Sequence, residues 1–173
     1  MQHIDIADIS NGLAGGKMRK MKSPPATAFD WDFPQPFTLP VIVVAEEIDE
    51  YEHVNNAAYL RWLDRCAWAH SASVGLTVSD CRRIDRGMAV RRSVIEYLAP
   101  AFLGDSVVVA TWIASSDGKL RVTRKFQVVA EGSGKTLVRA TIEYVCLALS
   151  TGRPVRMPIE FVERYLAWME ERE

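Results

Sequence analysis

At 173 residues the chain has room for one domain, or one domain and a tail, with a core that needs no disulfides. Apolar residues at 49% and charged residues at 25% are the balance of an ordinary globular protein. A formal net charge of −1 leaves no bulk electrostatic case for nucleic acid or an anionic membrane, and neither is expected as a partner. The three cysteines, Cys66, Cys81 and Cys146, have no C-x-x-C spacing. That argues against zinc and a disulfide framework, and for a reducing cytoplasm with no metal or other cofactor. No apolar run approaches the roughly 20 residues of a membrane span. The N-terminus has acids and glycines where a signal peptide has an apolar stretch.

Residues 1–36 read as an N-terminal extension and residues 37–173 as the domain. The extension holds N-G-L-A-G-G, the basic run Lys17 to Lys22, and the prolines Pro24, Pro25, Pro34 and Pro36, all unfavourable to regular structure. The basic run reads as a solvated tail. Trp31, Phe33 and Phe37 are large for a free tail, so its end is expected to pack on the domain.

Residues 37–46, F-T-L-P-V-I-V-V-A-E, are a β-branched run and predict the first strand. A loop over 47–55 follows. The spacing of Tyr59, Leu63, Cys66, Ala67, His70 and Val74 predicts a helix over about 56–74, with Gly75 as its stop. Leu60, Trp62 and Trp68 make that helix apolar nearly all round, so it is expected to be enclosed. Residues 77–87 are polar and read as a loop.

Four strands are predicted next, over about 88–98, 105–115, 119–130 and 136–149, parted by A-P-A-F-L-G-D, D-G-K and E-G-S-G-K. In the third, Leu120, Val122, Phe126 and Val128 share a face opposite Arg121, Thr123, Lys125 and Gln127. A final helix is expected over about 159–171. This order predicts an α+β fold in which a meander of four strands, plus the first strand, curls as one antiparallel sheet around the long helix.

Residues 49–63, D-E-Y-E-H-V-N-N-A-A-Y-L-R-W-L, concentrate the chemistry. Asparagine is a strong helix N-cap, and a helix start offers unpaired N–H donors and a partial positive charge. The pattern therefore delivers Asp49 and His53 beside a site for an anion or oxyanion built around Asn55 and Asn56.

D-x-x-x-H-V-N-N-x-x-Y-L-R-W, the later Y-L-A-P-A-F-L-G-D and the ending E-Y-V-C-L-A-L-S-T-G-R-P together resemble the hotdog-fold acyl-CoA thioesterases. The likeness runs over about residues 37–157 and is nearest to the 4-hydroxybenzoyl-CoA thioesterase-like branch, more loosely to plant acyl-ACP thioesterases. It implies a hotdog fold and a homodimer or homotetramer with active sites at subunit interfaces. It also implies an acyl-CoA substrate and Asp49 as the catalytic carboxylate.

The family commonly has glycine before the histidine, where this chain has Glu52. The plant enzymes have asparagine two before it, where this chain has Tyr51. Glutamate is often found further along the helix, where this chain has Asp64. On this reading Asp49 is base or nucleophile, His53 orients it or water, and backbone N–H groups at Asn56 stabilise the oxyanion. Asn55, Tyr59, Arg91 and Arg92 are the candidates for binding substrate, with Arg121, Arg124 and Arg139 as further partners for CoA phosphates. Trp62, Trp68 and Trp112 are candidate walls of the acyl pocket. A non-catalytic acyl-thioester-binding protein of the same fold is the alternative.

Overall fold

The computed structural model describes residues 29–170. In chain order it has β1 (Phe37–Ile42), a 3-10 turn (Ala45–Glu47), α1 (Asn56–Ser73), α2 (Val78–Arg83), β2 (Gly87–Tyr97), β3 (Ser106–Ser116), β4 (Arg121–Ala130), β5 (Thr136–Leu147) and α3 (Ile159–Glu170). The basic run Lys17 to Lys22 lies outside the described residues.

The strands form one antiparallel sheet in the order β1-β3-β4-β5-β2. The turn signals act as read. Asp117 Oδ1 accepts the N–H groups of Lys119, Leu120 and Arg121 at 2.7–2.9 Å, and Gly118 takes φ +64. The expected four-strand meander is corrected, because only β3, β4 and β5 follow one another. β2 pairs with β5 at the opposite edge, so residues 98–105 are a crossing and not a hairpin. Non-local pairing decides this, and no local residue pattern encodes it.

Alternation along β4 and β5 turns Val122, Phe126, Val128, Val138, Ala140, Ile142 and Tyr144 inward. Most of these join the core around α1, which buries Ala58, Tyr59, Trp62, Leu63, Cys66 and Ala67. Full burial of a side chain such as Leu63 stabilises by about 1.5–3 kcal/mol. A second cluster, around Phe161 and Tyr165 of α3, covers the sheet beyond the end of α1.

The expectation of a fully enclosed helix is only half met. Leu60 and Trp68 stay 44% and 40% exposed, because one sheet wraps one side of the helix. Val90 and Tyr97 of the edge strand β2 are exposed as well.

Two further differences are local. Residues 78–83 form α2, not loop; Thr77 and Asp80 make a capping box, each side chain bonding the other's backbone N–H. The first strand ends at Ile42, where the 3-10 turn intervenes.

Residues 29–36 pack on the outer face of the sheet. Trp31 and Phe33 set their rings edge-on to Trp112, whose indole N–H donates to Pro34 O at 3.0 Å. Arg139 clamps Asp32 with two bonds of 2.7 and 2.8 Å.

Candidate active site

The site starts where β1 stops pairing. Glu47 turns its carboxylate into the core, where Oε1 accepts the Trp62 indole N–H at 2.7 Å and Oε2 the Val44 N–H at 3.3 Å. Its carbonyl accepts the Asn55 N–H at 2.8 Å. Ile48 and Val54 then bridge, closing residues 49–53 into a tight turn. Within it the Asp49 N–H donates to His53 O at 2.9 Å and the Glu52 N–H to Asp49 O at 3.0 Å. Asp49 Oδ1 accepts from Tyr51 N–H at 2.9 Å and from His53 N–H at 3.4 Å. Oδ2 takes no hydrogen bond among the described residues. Glu52 adopts φ +63, the left-handed conformation that favours glycine.

α1 begins two residues on. Asn55 is its N-cap, with Oδ1 accepting the Ala57 N–H at 2.7 Å. The Ala58 N–H bonds Asn55 O at 2.9 Å. The Asn56 N–H has no acceptor among the described residues, so it is the open donor at the positive end of the helix. His53 is exposed, its ring edge-on to Phe102 at 5.2 Å. The structure thus gathers Asp49, His53, Asn55 and Asn56 into one turn and one helix start.

The other sequence candidates lie elsewhere. Tyr59 is buried, and its hydroxyl accepts the Ala101 N–H at 3.1 Å, tying the 98–105 crossing to α1. Arg91 and Arg92 both reach Glu143, at 2.9 and 3.4 Å, because a β-bulge between Val90 and Arg92 sets both beside one outward-facing acid. They sit on the outer face, away from the Asp49 turn; Tyr97, further along the same strand, touches Asn56 O at 3.4 Å. Arg139 is held by Asp32 with its side chain still exposed, whereas Arg124 is buried and is not an exposed phosphate partner. Among the described residues no cluster of His, Cys, Asp or Glu is placed to hold a metal, and no helix is long and apolar enough to cross a membrane.

Residues 43–168 match the family model of the thioesterase-like superfamily. The chain belongs to this family. Its similarity extends to the long-chain acyl-CoA thioesterase FadM of Escherichia coli, 28% identical over 121 residues that cover 68% of this chain and 87% of FadM. Among solved structures, a Staphylococcus aureus protein in complex with CoA superposes with a TM-score of 0.74 at 20% identity, over 83% of this chain and 90% of that one. A 1,4-dihydroxy-2-naphthoyl-CoA thioesterase from Synechocystis gives 0.69 at 20% identity, over 76% and 96%. These likenesses show the hotdog fold read from the sequence, and membership gives the chain thioester hydrolysis as its activity class.

Within this thioesterase-like fold the cysteines are unsuited to nucleophilic work. Burial pushes the Cys66 thiol up to about 12, against a smaller lowering by Arg124, and all three cysteines are buried and unpaired. Of the three candidate tryptophan walls, Trp62 is in the core and Trp112 lies under residues 31–34. Trp68 lines a cavity on the inner side of the sheet, together with Asp64, Arg124 and Tyr144. Asp64 has no ion pair with Arg61 or Arg65 among the described residues, and burial raises its carboxyl above the usual range. Glu47 had no signal in the sequence, since its partner Trp62 stands fifteen residues away.

Proposed function

We propose that this protein hydrolyses acyl-CoA thioesters, with Asp49 as base or nucleophile and the Asn56 N–H as oxyanion donor. One observation carries the reading. Asp49 is fixed through Oδ1 by two backbone N–H groups while Oδ2 is left open, one turn of chain before the open N–H of a capped helix. A thioester carbonyl polarised at that N–H presents its carbon to Oδ2 or to a water that Oδ2 deprotonates. In the first route an anhydride forms, the thiolate leaves, and water cleaves the anhydride. In the second, water adds directly and the thiolate leaves from the tetrahedral intermediate. Either way the leaving thiol, with an ordinary pKa of about 8.5, needs little acid assistance. One oxyanion donor contributes about 3–4 kcal/mol to the barrier.

Asp49→Asn tests the assignment: kcat should fall on the order of 10²- to 10⁴-fold across acyl-CoAs of different length, while binding by calorimetry survives. Turnover unchanged in the variant would remove Asp49 from the mechanism. Binding without turnover in the unaltered protein would instead mark a non-catalytic acyl-thioester binder.

The same reading includes assembly from identical subunits. A dimer, or a dimer of dimers, is supported by the apolar strip of Leu60 and Trp68 on α1 beside Val90 and Tyr97 on β2, whose outer edge is open. A cytoplasmic setting is supported by three buried, unpaired thiols.

A further inference from the structure

Alternation along β4 turns Arg124 inward, where it is 3% exposed. Its Nη1 donates to His70 Nδ1 at 2.8 Å and its Nη2 to Ser71 Oγ at 3.0 Å. A guanidinium only donates, so His70 Nδ1 is the acceptor in this bond. The Tyr165 ring lies 5.8 Å from the guanidinium carbon. Among the described residues no carboxylate comes within 4.0 Å of Arg124. A buried cation with no carboxylate among the described residues within ion-pair distance is a costly arrangement.

A second, independent group points the same way. The Tyr144 hydroxyl is buried in a residue 6% exposed and has no hydrogen-bond partner among the described residues. Burial pushes its phenol well above the ordinary range, so it stays protonated and can donate. Arg124 and Tyr144 line one cavity of about 200 Å³ between α1, the sheet and α3. At ~30 Å³ per water-sized group it holds on the order of seven such groups. Asp64 also lines it, but stands seven residues before Ser71, about 10 Å along the helix axis.

We propose that this cavity takes the distal end of the acyl group, and that Arg124 and Tyr144 select acyl groups ending in a carboxylate. The proposal rests on the hydrolase reading above, which sets the thioester at Asn56; the chain then runs about 12 Å along α1 before reaching the level of Asp64. A carboxylate accepts from the guanidinium and the phenol together and supplies the missing negative charge. A neutral hydroxyl leaves the charge uncompensated, and a methyl end leaves both donors unpaired.

Arg124 lies at the level of Ser71, about 22 Å along α1 from Asn56, so the test compares dodecanoyl-CoA, which is too short to reach it, and hexadecanoyl- and octadecanoyl-CoA with their α,ω-dioyl counterparts of equal carbon number. At one length or more the dioyl ester should have the higher kcat/KM. That ratio should fall roughly ten- to hundredfold in Arg124→Met, and a few-fold to tenfold in Tyr144→Phe. Tyr144→Phe removes only an unpartnered oxygen and keeps the ring, so its fold is preserved. Arg124→Met takes the guanidinium donor away from the buried His70 Nδ1 and Ser71 Oγ and should lower the thermal midpoint. The readout is therefore the ratio of the two esters within one variant, which a partial loss of folded protein does not move.

A ratio at or below one at every length, or a ratio unmoved in both variants, overturns the proposal. Binding of the matching non-hydrolysable CoA thioethers runs in parallel. If no ester is turned over, the hydrolase reading fails by itself, and the thioether affinities still decide whether the cavity prefers a carboxylate.

Discussion

The Glu47 carboxylate accepts the Trp62 indole N–H at 2.7 Å, in the buried seam between the turn that carries Asp49 and the helix that starts at Asn56. This bond and the 2.8 Å bond from Asn55 N–H to Glu47 O fix the carboxylate side of the site to the oxyanion side. Trp62→Phe keeps an aromatic ring but leaves a buried acid without its donor. It should destabilise by about 1–3 kcal/mol in urea unfolding. It should also lower kcat roughly ten- to hundredfold, through misplacement of the turn, with KM changed less. Glu47→Gln retains an accepting oxygen and should cost less on both counts. Equal losses from the two variants would mean that packing, not the bond, holds the seam.

Glu52 stands at φ +63, the position where the related enzymes commonly have glycine. The turn is therefore kept at a cost of about 1–2 kcal/mol, the penalty for a left-handed non-glycine residue. Glu52→Gly relieves that strain and gives back about 0.5–1 kcal/mol in chain entropy, so stability should hold or rise slightly. Glu52→Val puts a β-branched side chain in the same conformation and should lower stability by at least ~1 kcal/mol. The order Gly ≥ Glu > Val in urea midpoints is the outcome expected.

Asn55 separates stability from activity. Asn55→Ala loses the cap on Ala57 N–H and should cost about 1 kcal/mol. Asn55→Asp keeps the cap and adds a negative charge at the positive helix end, so stability should be preserved or improved. The same charge lies one residue from the proposed oxyanion donor and should lower kcat by more than tenfold. An Asp variant as active as the native protein would move the oxyanion site away from Asn56.

The legible parts of this molecule are the local ones. α1, its cap and the Asp49 turn are contiguous, so period, capping chemistry and motif spacing all fall within twenty-five residues of chain. Sheet order is not local: A-P-A-F-L-G-D reads as a hairpin turn, whereas residues 98–105 cross to another strand under bonds from Ala101 N–H to Tyr59 and Val54 N–H to Ala101 O. α2 was encoded by Thr77 and Asp80, a capping box hidden in a polar stretch. Arg124 obeys the alternation that turned Val122 and Phe126 inward, yet a charged residue on that face invites assignment to the surface. What buries it is His70, Ser71 and Tyr165, from two helices far apart in sequence.

The cysteines give a prediction in pH. Burial raises Cys66 to about 12 and Cys146 to about 11, and raises Cys81 as well. At pH 8 the thiolate of Cys66 is then about one part in 10⁴ in the folded protein, so a disulfide reagent should react slowly in buffer and with all three thiols in urea. The sign for stability follows. The folded values lie above the ordinary value of 9.0, so the thiols are neutral in both states below about pH 9 and the effect is absent there. As pH rises from about 9 towards 12 the unfolded chain loses its protons first, and stability declines over that window. Replacing Cys66 by Ala should flatten part of the decline while leaving the dependence of kcat on Asp49 intact. Fast labelling of Cys66 in the folded protein, with loss of activity, would instead put a thiol back among the candidate nucleophiles.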